Sequence, residues 1–204
     1  MSDRKTHAKE AEIDLCDPMK NDRILLDPAR QWLRGVRRAP SPNRDERPAG
    51  CAIELLVIHA ISLPPGEFGG PFIEDLFLNR LDPDAHPYFR ALAEPRVSAH
   101  LLLRRDGEVI QFVPFGERAW HAGFSRFRGK NDCNDFSIGI ELEGADHVPY
   151  DERQYGRLAE LGRLFLSAWP GIGRDGIQGH CDIAPGRKTD PGESFSWERF
   201  YRLL

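Results

Sequence analysis

The stretch AIELLVIHA, residues 52–60, decides the fold expected of this chain. Its unbroken apolar run, residues 55–58, is typical of a β-strand buried on both faces, as in the sheets of α/β proteins. His59 closes this run. A histidine in that position is more often a satisfied core residue than a ligand, yet open α/β sheets also place their sites at the ends of strands.

Two further stretches extend the predicted sheet. HLLLRRDGEVIQFVPF, residues 100–115, contains two strand-like runs joined at Asp106 and Gly107, which predicts a tight hairpin turn with positive φ at both residues. DFSIGIELEG, residues 135–144, alternates, with Glu141 and Glu143 on the face opposite its apolar side chains. Because the hairpin is antiparallel, we expect a mixed sheet.

Helical patterns flank these strands. Residues 151–170 place their apolar side chains along one stripe until Pro170 ends the helix, and Ser196 caps a short C-terminal helix. Shorter helical segments are predicted after Pro71 and at Pro87. The expected fold class is α/β, with a central mixed sheet flanked by helices.

Length and composition indicate one domain. The chain has 204 residues, 40% of them hydrophobic, and a net charge of −4, which gives no electrostatic case for nucleic acid. We expect a poorly ordered extension over residues 1–23, a domain over residues 24–204, and within it an irregular arm over residues 36–50. Without a signal peptide or a membrane-length apolar run, the protein is expected to be a cytoplasmic monomer away from membranes. Four scattered cysteines suit reduced thiols.

A loop punctuated by glycine and proline carries the candidate chemistry. GHCDIAPGRKTDPG, residues 179–192, combines a histidine, two aspartates, an arginine and a lysine, and reactive groups are commonly displayed on such loops. His180 and Asp190 are its best candidates for metal ligands, although solvated surface is the more common explanation for two such residues alone. A catalytic zinc site typically has three protein ligands and an open position for water, so a third ligand must come from elsewhere.

Five blocks follow one another along the chain: LLVIHAISLPPGEFGG, RVSAHLLLRRDG, RAWHAG, CNDFSIGIELEG and GHCDIAPGRKTDPG. In this order and spacing they resemble the AmpD type of zinc-dependent N-acetylmuramoyl-L-alanine amidase, from about Ile24 to the C terminus. The resemblance implies a mixed central sheet flanked by helices, as in peptidoglycan-recognition domains and phage amidases. That fold agrees with the elements predicted from the residues themselves.

The resemblance also implies roles for named residues. It makes three residues the ligands of a Zn²⁺ cofactor: His59, His180 and Asp190. It makes Glu141 the catalytic carboxylate and Lys188 the cation beside the metal. Glu143 shares the face of Glu141, and the sequence alone does not separate the two.

Substrate contacts are predicted from side-chain chemistry. Arg96 and Arg187 are expected to meet peptide carboxylates, although an ordinary surface charge explains either arginine equally well. Trp120 and His121 are expected to bound the sugar and lactyl end of the substrate. Ala60 stands where the family usually carries asparagine, and we expect this difference to affect substrate affinity or turnover rather than metal binding.

The implied reaction is hydrolysis of the lactyl amide bond between 1,6-anhydro-N-acetylmuramic acid and L-alanine, in muropeptides that cells recover from their own wall. Two alternatives fit the same sequence: a recognition module that binds muropeptide without cutting it, and a phage-type endolysin amidase that attacks intact wall. The complete set of candidate ligands and catalytic partners favours the enzyme. The missing export signal favours the cytoplasmic recycling branch.

Overall fold

The computed structural model describes residues 24–27, 31–92 and 96–204. The extension predicted over residues 1–23 lies outside this part of the chain. The described residues form twelve β-strands: β1 (Leu25–Asp27), β2 (Trp32–Arg34), β3 (Arg37–Arg38), β4 (Arg44–Glu46), β5 (Leu55–Ile61), β6 (Leu101–Leu103), β7 (Val109–Gln111), β8 (Glu117–Ala119), β9 (Arg126–Phe127), β10 (Lys130–Asn131), β11 (Ser137–Glu143) and β12 (Ile177–Gly179). They also form four α-helices: α1 (Phe72–Phe77), α2 (Glu152–Ala168), α3 (His180–Ile183) and α4 (Trp197–Leu203). Three short 3₁₀ helices complete the elements: Pro87–Leu92, Cys133–Asp135 and Arg174–Gly176.

The central sheet has six strands in the order β12-β5-β11-β6-β7-β3. Strands β12, β5, β11 and β6 run parallel, whereas β7 is antiparallel to β6. The prediction of a mixed sheet is therefore confirmed. Strand β5 is longer than predicted, because pairing with β11 continues through Ala60 and Ile61. His59 thus lies within the strand rather than at its end.

The hairpin between β6 and β7 differs from the predicted two-residue turn. The N–H of Gly107 donates to the carbonyl oxygen of Arg104 at 3.0 Å, and the N–H of Arg104 donates to that of Glu108 at 2.9 Å. Residues 105–107 therefore form a three-residue loop, which needs positive φ only at its last position. Gly107 supplies it with φ of 90°. The prediction that Asp106 would share this conformation was wrong.

Both faces of the sheet are covered by apolar side chains. On one face, Leu56 and Ile58 of β5 share a core with Leu158, Leu161 and Phe165 of α2, and burial of each such side chain contributes about 1.5–3 kcal/mol. Helix α2 ends before Pro170, as its sequence predicts. On the other face, helix α1 and the Pro87–Leu92 segment share a second core with β6 and β7. The site described below lies on this second side.

The predicted irregular arm over residues 36–50 contains two short strands. Strand β3 pairs with β7 at the edge of the central sheet, and β4 pairs with β8. The sequence pattern missed them because β3 consists of two exposed arginines and β4 of three charged residues, so both pair through their backbones and show no apolar alternation. Three cysteines of the described chain, Cys51, Cys133 and Cys181, are free thiols, as expected. None of the helices in the described ranges combines the length and apolar composition needed to cross a membrane.

Candidate metal centre

The topology brings three ligand-type side chains to one edge of the sheet. His180 directly follows Gly179, the last residue of β12. His59 lies near the end of the neighbouring strand β5, and Glu141 of β11 is its partner in register. Because these strands are parallel, their carboxyl ends meet at the same edge, which is where open α/β sheets bind ligands.

The loop of residues 179–192 folds back so that its two ends meet. It is not irregular throughout, since its first residues after the strand form the short helix α3. The N–H of Cys181 donates to the carbonyl oxygen of Asp190 at 2.9 Å, and the N–H of Lys188 donates to that of Ala184 at 3.1 Å. These bonds return Asp190 to the side of His180.

His59, His180 and Asp190 form a compact triangle. The two Nδ1 atoms lie 3.0 Å apart, and each lies 3.1 Å from Oδ2 of Asp190. The two histidines are buried, and the aspartate is partly exposed. Three potential ligand atoms therefore share one small space, although the histidines are 121 positions apart in the chain.

The donor set fits a divalent metal ion. In a tetrahedral zinc site with bonds of about 2.0–2.1 Å, ligand atoms lie about 3.3 Å from one another. The triangle is close to that size. Nε2 of His180 lies 3.0 Å from the carbonyl oxygen of Ala122, which can only accept, so Nε2 carries the hydrogen of the neutral ring. Nδ1 of His180 then carries no hydrogen and directs its lone pair toward the carboxylate of Asp190. Two acceptors this close repel each other, and a cation bound between them stabilises the pair.

Burial keeps His59 in the form that ligates metals. Burial lowers the pKa of His59 to about 4, although Asp190 acts in the opposite direction, so the ring is neutral at pH 7. Asp190 is partly exposed, so its carboxylate is ionised at pH 7. The site therefore offers neutral imidazole and ionised carboxylate, as metal binding requires.

The structure separates the two glutamates of β11. Glu143 is engaged: its carboxylate accepts from the N–H of Gly69 at 2.7 Å and from the guanidinium of Arg104 at 3.2 Å. Within the described ranges, Oε2 of Glu141 is a buried atom without any hydrogen-bond partner. Burial, reinforced by the charge of Asp190, raises the pKa of Glu141 well above its ordinary value, and Lys188 only partly opposes this. An unpartnered carboxyl with a raised pKa is suited to proton transfer.

A cleft of about 640 Å³ opens onto the triangle. Residues predicted to be functional line it: Ala60, Trp120, His121, Glu141, His180, Lys188 and Asp190. The lining also includes apolar side chains, among them Leu76, Tyr88 and Val97. The cleft thus combines ligand-type and apolar side chains.

The two arginines predicted to contact substrate lie elsewhere. The guanidinium of Arg187 donates to the carbonyl oxygens of Ala122 and Phe124 at 2.6 and 2.7 Å, so its donors hold that loop beside His180. Arg96 is exposed and is not among the residues that line the cleft. The sequence could not reveal the carbonyl partners of Arg187, because they are 63 and 65 positions away.

Sequence reasoning also missed residues that support the ligands. The carbonyl oxygen of Ala122 orients His180, and the side chain of Asn134 accepts from the N–H of Ala122 at 2.8 Å. Ser137 contacts the ring of His121. All three lie in or beside the blocks RAWHAG and CNDFSIGIELEG, which was the available signal. The residue types of Ala122, Asn134 and Ser137 alone give no such signal, because their support of the ligands depends on backbone groups and on tertiary contacts.

Taken together, an open α/β sheet and a His–His–Asp triangle with two buried histidines, beside Glu141, are typical of hydrolases that activate water at a bound metal ion. The N-acetylmuramoyl-L-alanine amidase family matches residues 49–193. The chain belongs to this family, and the predicted AmpD-type enzyme is confirmed.

Individual relatives extend this finding. The chain is 57% identical to the 1,6-anhydro-N-acetylmuramyl-L-alanine amidase AmpD of Escherichia coli K12, over 85% of this chain and 94% of that protein. It superposes on a crystal structure of a selenomethionine derivative of AmpD with a TM-score of 0.85 and 56% identity, covering 88% of this chain and 99% of that one. The E. coli amidase AmiD, solved with anhydro-N-acetylmuramic acid-L-Ala-D-γ-Glu-L-Lys, is more distant, with 28% identity, a TM-score of 0.55, and 88% and 65% coverage.

Proposed function

We propose that this chain is a zinc amidase that hydrolyses the lactyl amide bond between 1,6-anhydro-N-acetylmuramic acid and L-alanine in muropeptides, during cytoplasmic recycling of peptidoglycan. The observation that carries the proposal is the His59–His180–Asp190 triangle with Glu141 beside it in register. The names of the AmpD relatives and the substrate solved with AmiD support the choice of bond. We further propose a monomer as the active form, because one chain supplies the complete ligand triangle and Glu141.

In this proposal His59, His180 and Asp190 hold the zinc ion. Zinc bound in this way lowers the pKa of a water ligand to about 7 and polarises an amide carbonyl. Burial of the two histidines keeps both rings from solvent. The cleft gives the scissile amide access to the exposed side of the triangle, where Asp190 is partly open.

Glu141 is the proposed proton carrier. Its carboxylate accepts a proton from the attacking water and returns it to the leaving nitrogen, because an amine leaves poorly without protonation. The raised pKa caused by burial suits the second of these steps, in which Glu141 acts as an acid. The position of Oε2, buried and without a partner, leaves it free to bond the water.

Lys188 is the proposed stabiliser of negative charge. Its exposed side chain lines the cleft two residues before Asp190. The positively charged ammonium group is therefore close to the triangle without belonging to it. The carbonyl oxygen becomes an oxyanion during attack, and the loss of a donor at that position costs on the order of 100- to 1000-fold in rate.

The walls of the cleft are proposed to select the substrate. Trp120 lines it with its ring, whose Nε1 donates to Asp45 at 3.1 Å and so fixes its orientation. Ala60 lines it next to the first ligand without offering a hydrogen bond. An Ala60→Asn variant is expected to raise kcat/KM at unchanged zinc content. An unchanged kcat/KM would remove the assignment of substrate binding to this position.

The decisive experiment is mass spectrometry of the products from purified anhydro-muropeptide, with zinc analysis of the same protein. We expect release of free peptide that stops when a chelator removes zinc and that returns on adding zinc. Muropeptide binding without zinc or product would instead identify a recognition module. Lysis of intact sacculi at a rate that exceeds cleavage of the soluble muropeptide would identify an endolysin.

A further inference from the structure

The imidazole of His121 links a metal-ligand candidate to the sheet. Nε2 of His59, the nitrogen that points away from the triangle, lies 2.8 Å from Nδ1 of His121. Nε2 of His121 lies 3.1 Å from Oγ of Ser137. The two rings meet edge to face, with an angle of 84° between their planes. His59, His121 and Ser137 thus form one continuous chain of contacts.

Only one assignment of hydrogens lets this chain serve a metal ligand. If Nδ1 of His59 presents its lone pair to the triangle, the hydrogen of the neutral ring is on Nε2 and is donated to Nδ1 of His121. His121 then carries its own hydrogen on Nε2 and donates it to the hydroxyl of Ser137. Every ring nitrogen outside the triangle has a partner in this arrangement, so the contacts accommodate the tautomer of His59 that ligates metals. A bound cation, which needs the lone pair of Nδ1, selects this arrangement over the reversed one, in which Nδ1 of His59 would donate to Asp190.

The surrounding structure fixes the position of the His121 ring. A Cβ at Gly139 would lie 2.5–2.7 Å from three atoms of the His121 ring, closer than any real contact, so only glycine leaves room for the imidazole against β11. From the other side, the N–H of His121 donates to Oδ1 of Asn134 at 3.1 Å. Gly139 lies between Ser137 and Glu141 on one face of the strand, so the ring rests in a fitted gap beside the catalytic carboxyl.

We propose that His121, supported by Ser137, is a positioning residue that fixes the tautomer and ring orientation of His59 for metal binding. The proposal rests on the zinc centre of the proposed function. It replaces the role as a substrate contact expected from the sequence, because the polar atoms of His121 are occupied by His59 and Ser137. His121 touches no reacting group in this role and acts only through the ligand.

The test measures zinc affinity by competition with a chromophoric chelator, together with the visible absorption of the Co²⁺-substituted protein. His121→Phe keeps a ring without hydrogen bonds and is expected to weaken zinc binding by about 10- to 100-fold, the usual effect of removing a partner of a ligating histidine. His121→Asn keeps an acceptor near Nδ1 and should restore affinity to within about threefold of wild type. Ser137→Ala should weaken binding by a smaller factor and shift the Co²⁺ spectrum.

His100 provides the matched control. It is another buried histidine, with its ring centroid 5.8 Å from that of His121, and its Nδ1 accepts from the N–H of Gly139 without touching a metal ligand. His100→Asn should leave zinc affinity and the Co²⁺ spectrum unchanged, whatever its effect on thermal unfolding. An equal loss of affinity in His100→Asn would show that general loosening of the core is responsible and would overturn the proposal.

Two further results would overturn it. One is a folded His121→Phe protein that binds zinc as tightly as wild type, and the other is a His121→Asn protein as weak as His121→Phe. If His121→Phe does not fold, the Ser137→Ala variant decides, and unchanged affinity and spectrum there reject the proposal. These measurements use no substrate, so a wild type that binds zinc but releases no peptide from anhydro-muropeptide would refute the proposed function separately.

Discussion

Replacement of Glu141 by glutamine should remove activity and stabilise the fold at the same time. The amide has nearly the same shape but cannot carry a proton between water and the leaving nitrogen, so kcat should fall by about 100- to 10,000-fold. Zinc content should not change, because Glu141 is not part of the ligand triangle. Loss of activity with retained metal would separate the role of Glu141 from that of the ligands.

The expected gain in stability follows from burial of the carboxyl. The pKa of Glu141 in the folded protein is raised above its ordinary value of 4.5, so the native state binds more protons than the unfolded state above that pH. Stability therefore falls as pH rises from about 4.5 toward the raised pKa, by about 1.4 kcal/mol for each pKa unit of difference. Glutamine is never ionised, so it removes this pH-dependent penalty, which is about 1.4 kcal/mol for each unit by which the pKa is raised.

Urea denaturation of the chelator-treated proteins at pH 8 and pH 4.5 measures this effect. Chelation matters because a bound cation would compensate the charge of Glu141. We expect Glu141→Gln to be about 1–3 kcal/mol more stable than wild type at pH 8 and equal to it at pH 4.5. A difference that is the same at both pH values, or a variant less stable at pH 8, would refute the reasoning from burial.

Four further predictions concern a ligand, a buried histidine, the core and the hairpin. Asp190→Ala should lose stoichiometric zinc, as measured by atomic absorption after dialysis, while the far-ultraviolet circular dichroism is retained. His100 has its pKa lowered well below 6.5, mainly by burial and also by Arg47, so unfolding stability should fall by about 1.4 kcal/mol per pH unit as pH drops below 6.5, and denaturation of His100→Asn should show a shallower pH slope. Phe165→Ala should cost about 3–5 kcal/mol in urea unfolding, since this ring is fully buried under the sheet. Gly107→Ala should lower the melting temperature by an amount equivalent to about 1 kcal/mol, because φ is 90° there, whereas the neighbouring Asp106→Ala should change it less.

Much of the fold was predictable because it depends on local patterns. The buried run of β5, the alternation of β11 and the apolar stripe of α2 each mark an element whose side chains must face a core. The hairpin needs a residue with positive φ, and Gly107 provides it as predicted, although the loop is one residue longer than the predicted two-residue turn. The strands of the arm were not predictable, because their pairing uses backbone groups that all residue types share.

The candidate site shows the same division. The residues suggested His180 and Asp190, and the family resemblance added His59 and chose Glu141. Residue types alone did not rank Glu141 over Glu143, since both lie on one face of the same strand. In the structure, the carboxylate of Glu143 accepts hydrogen bonds from Arg104 and from the N–H of Gly69, whereas Glu141 lies near the negative charge of Asp190. Arg187 likewise has the chemistry of a carboxylate-binding residue, and only the structure shows that its Nε and Nη2 groups donate to the loop at Ala122 and Phe124.

The sequence by itself determined which elements form and which ligand chemistry the chain can offer, because periodicity and residue type act over a few neighbouring positions. The tertiary structure alone decided that His59 and His180 approach to 3.0 Å and that His121 stands behind one of them. The physical reason is that these contacts join groups up to 131 positions apart. Their geometry is fixed by sheet register and core packing, which no local pattern encodes.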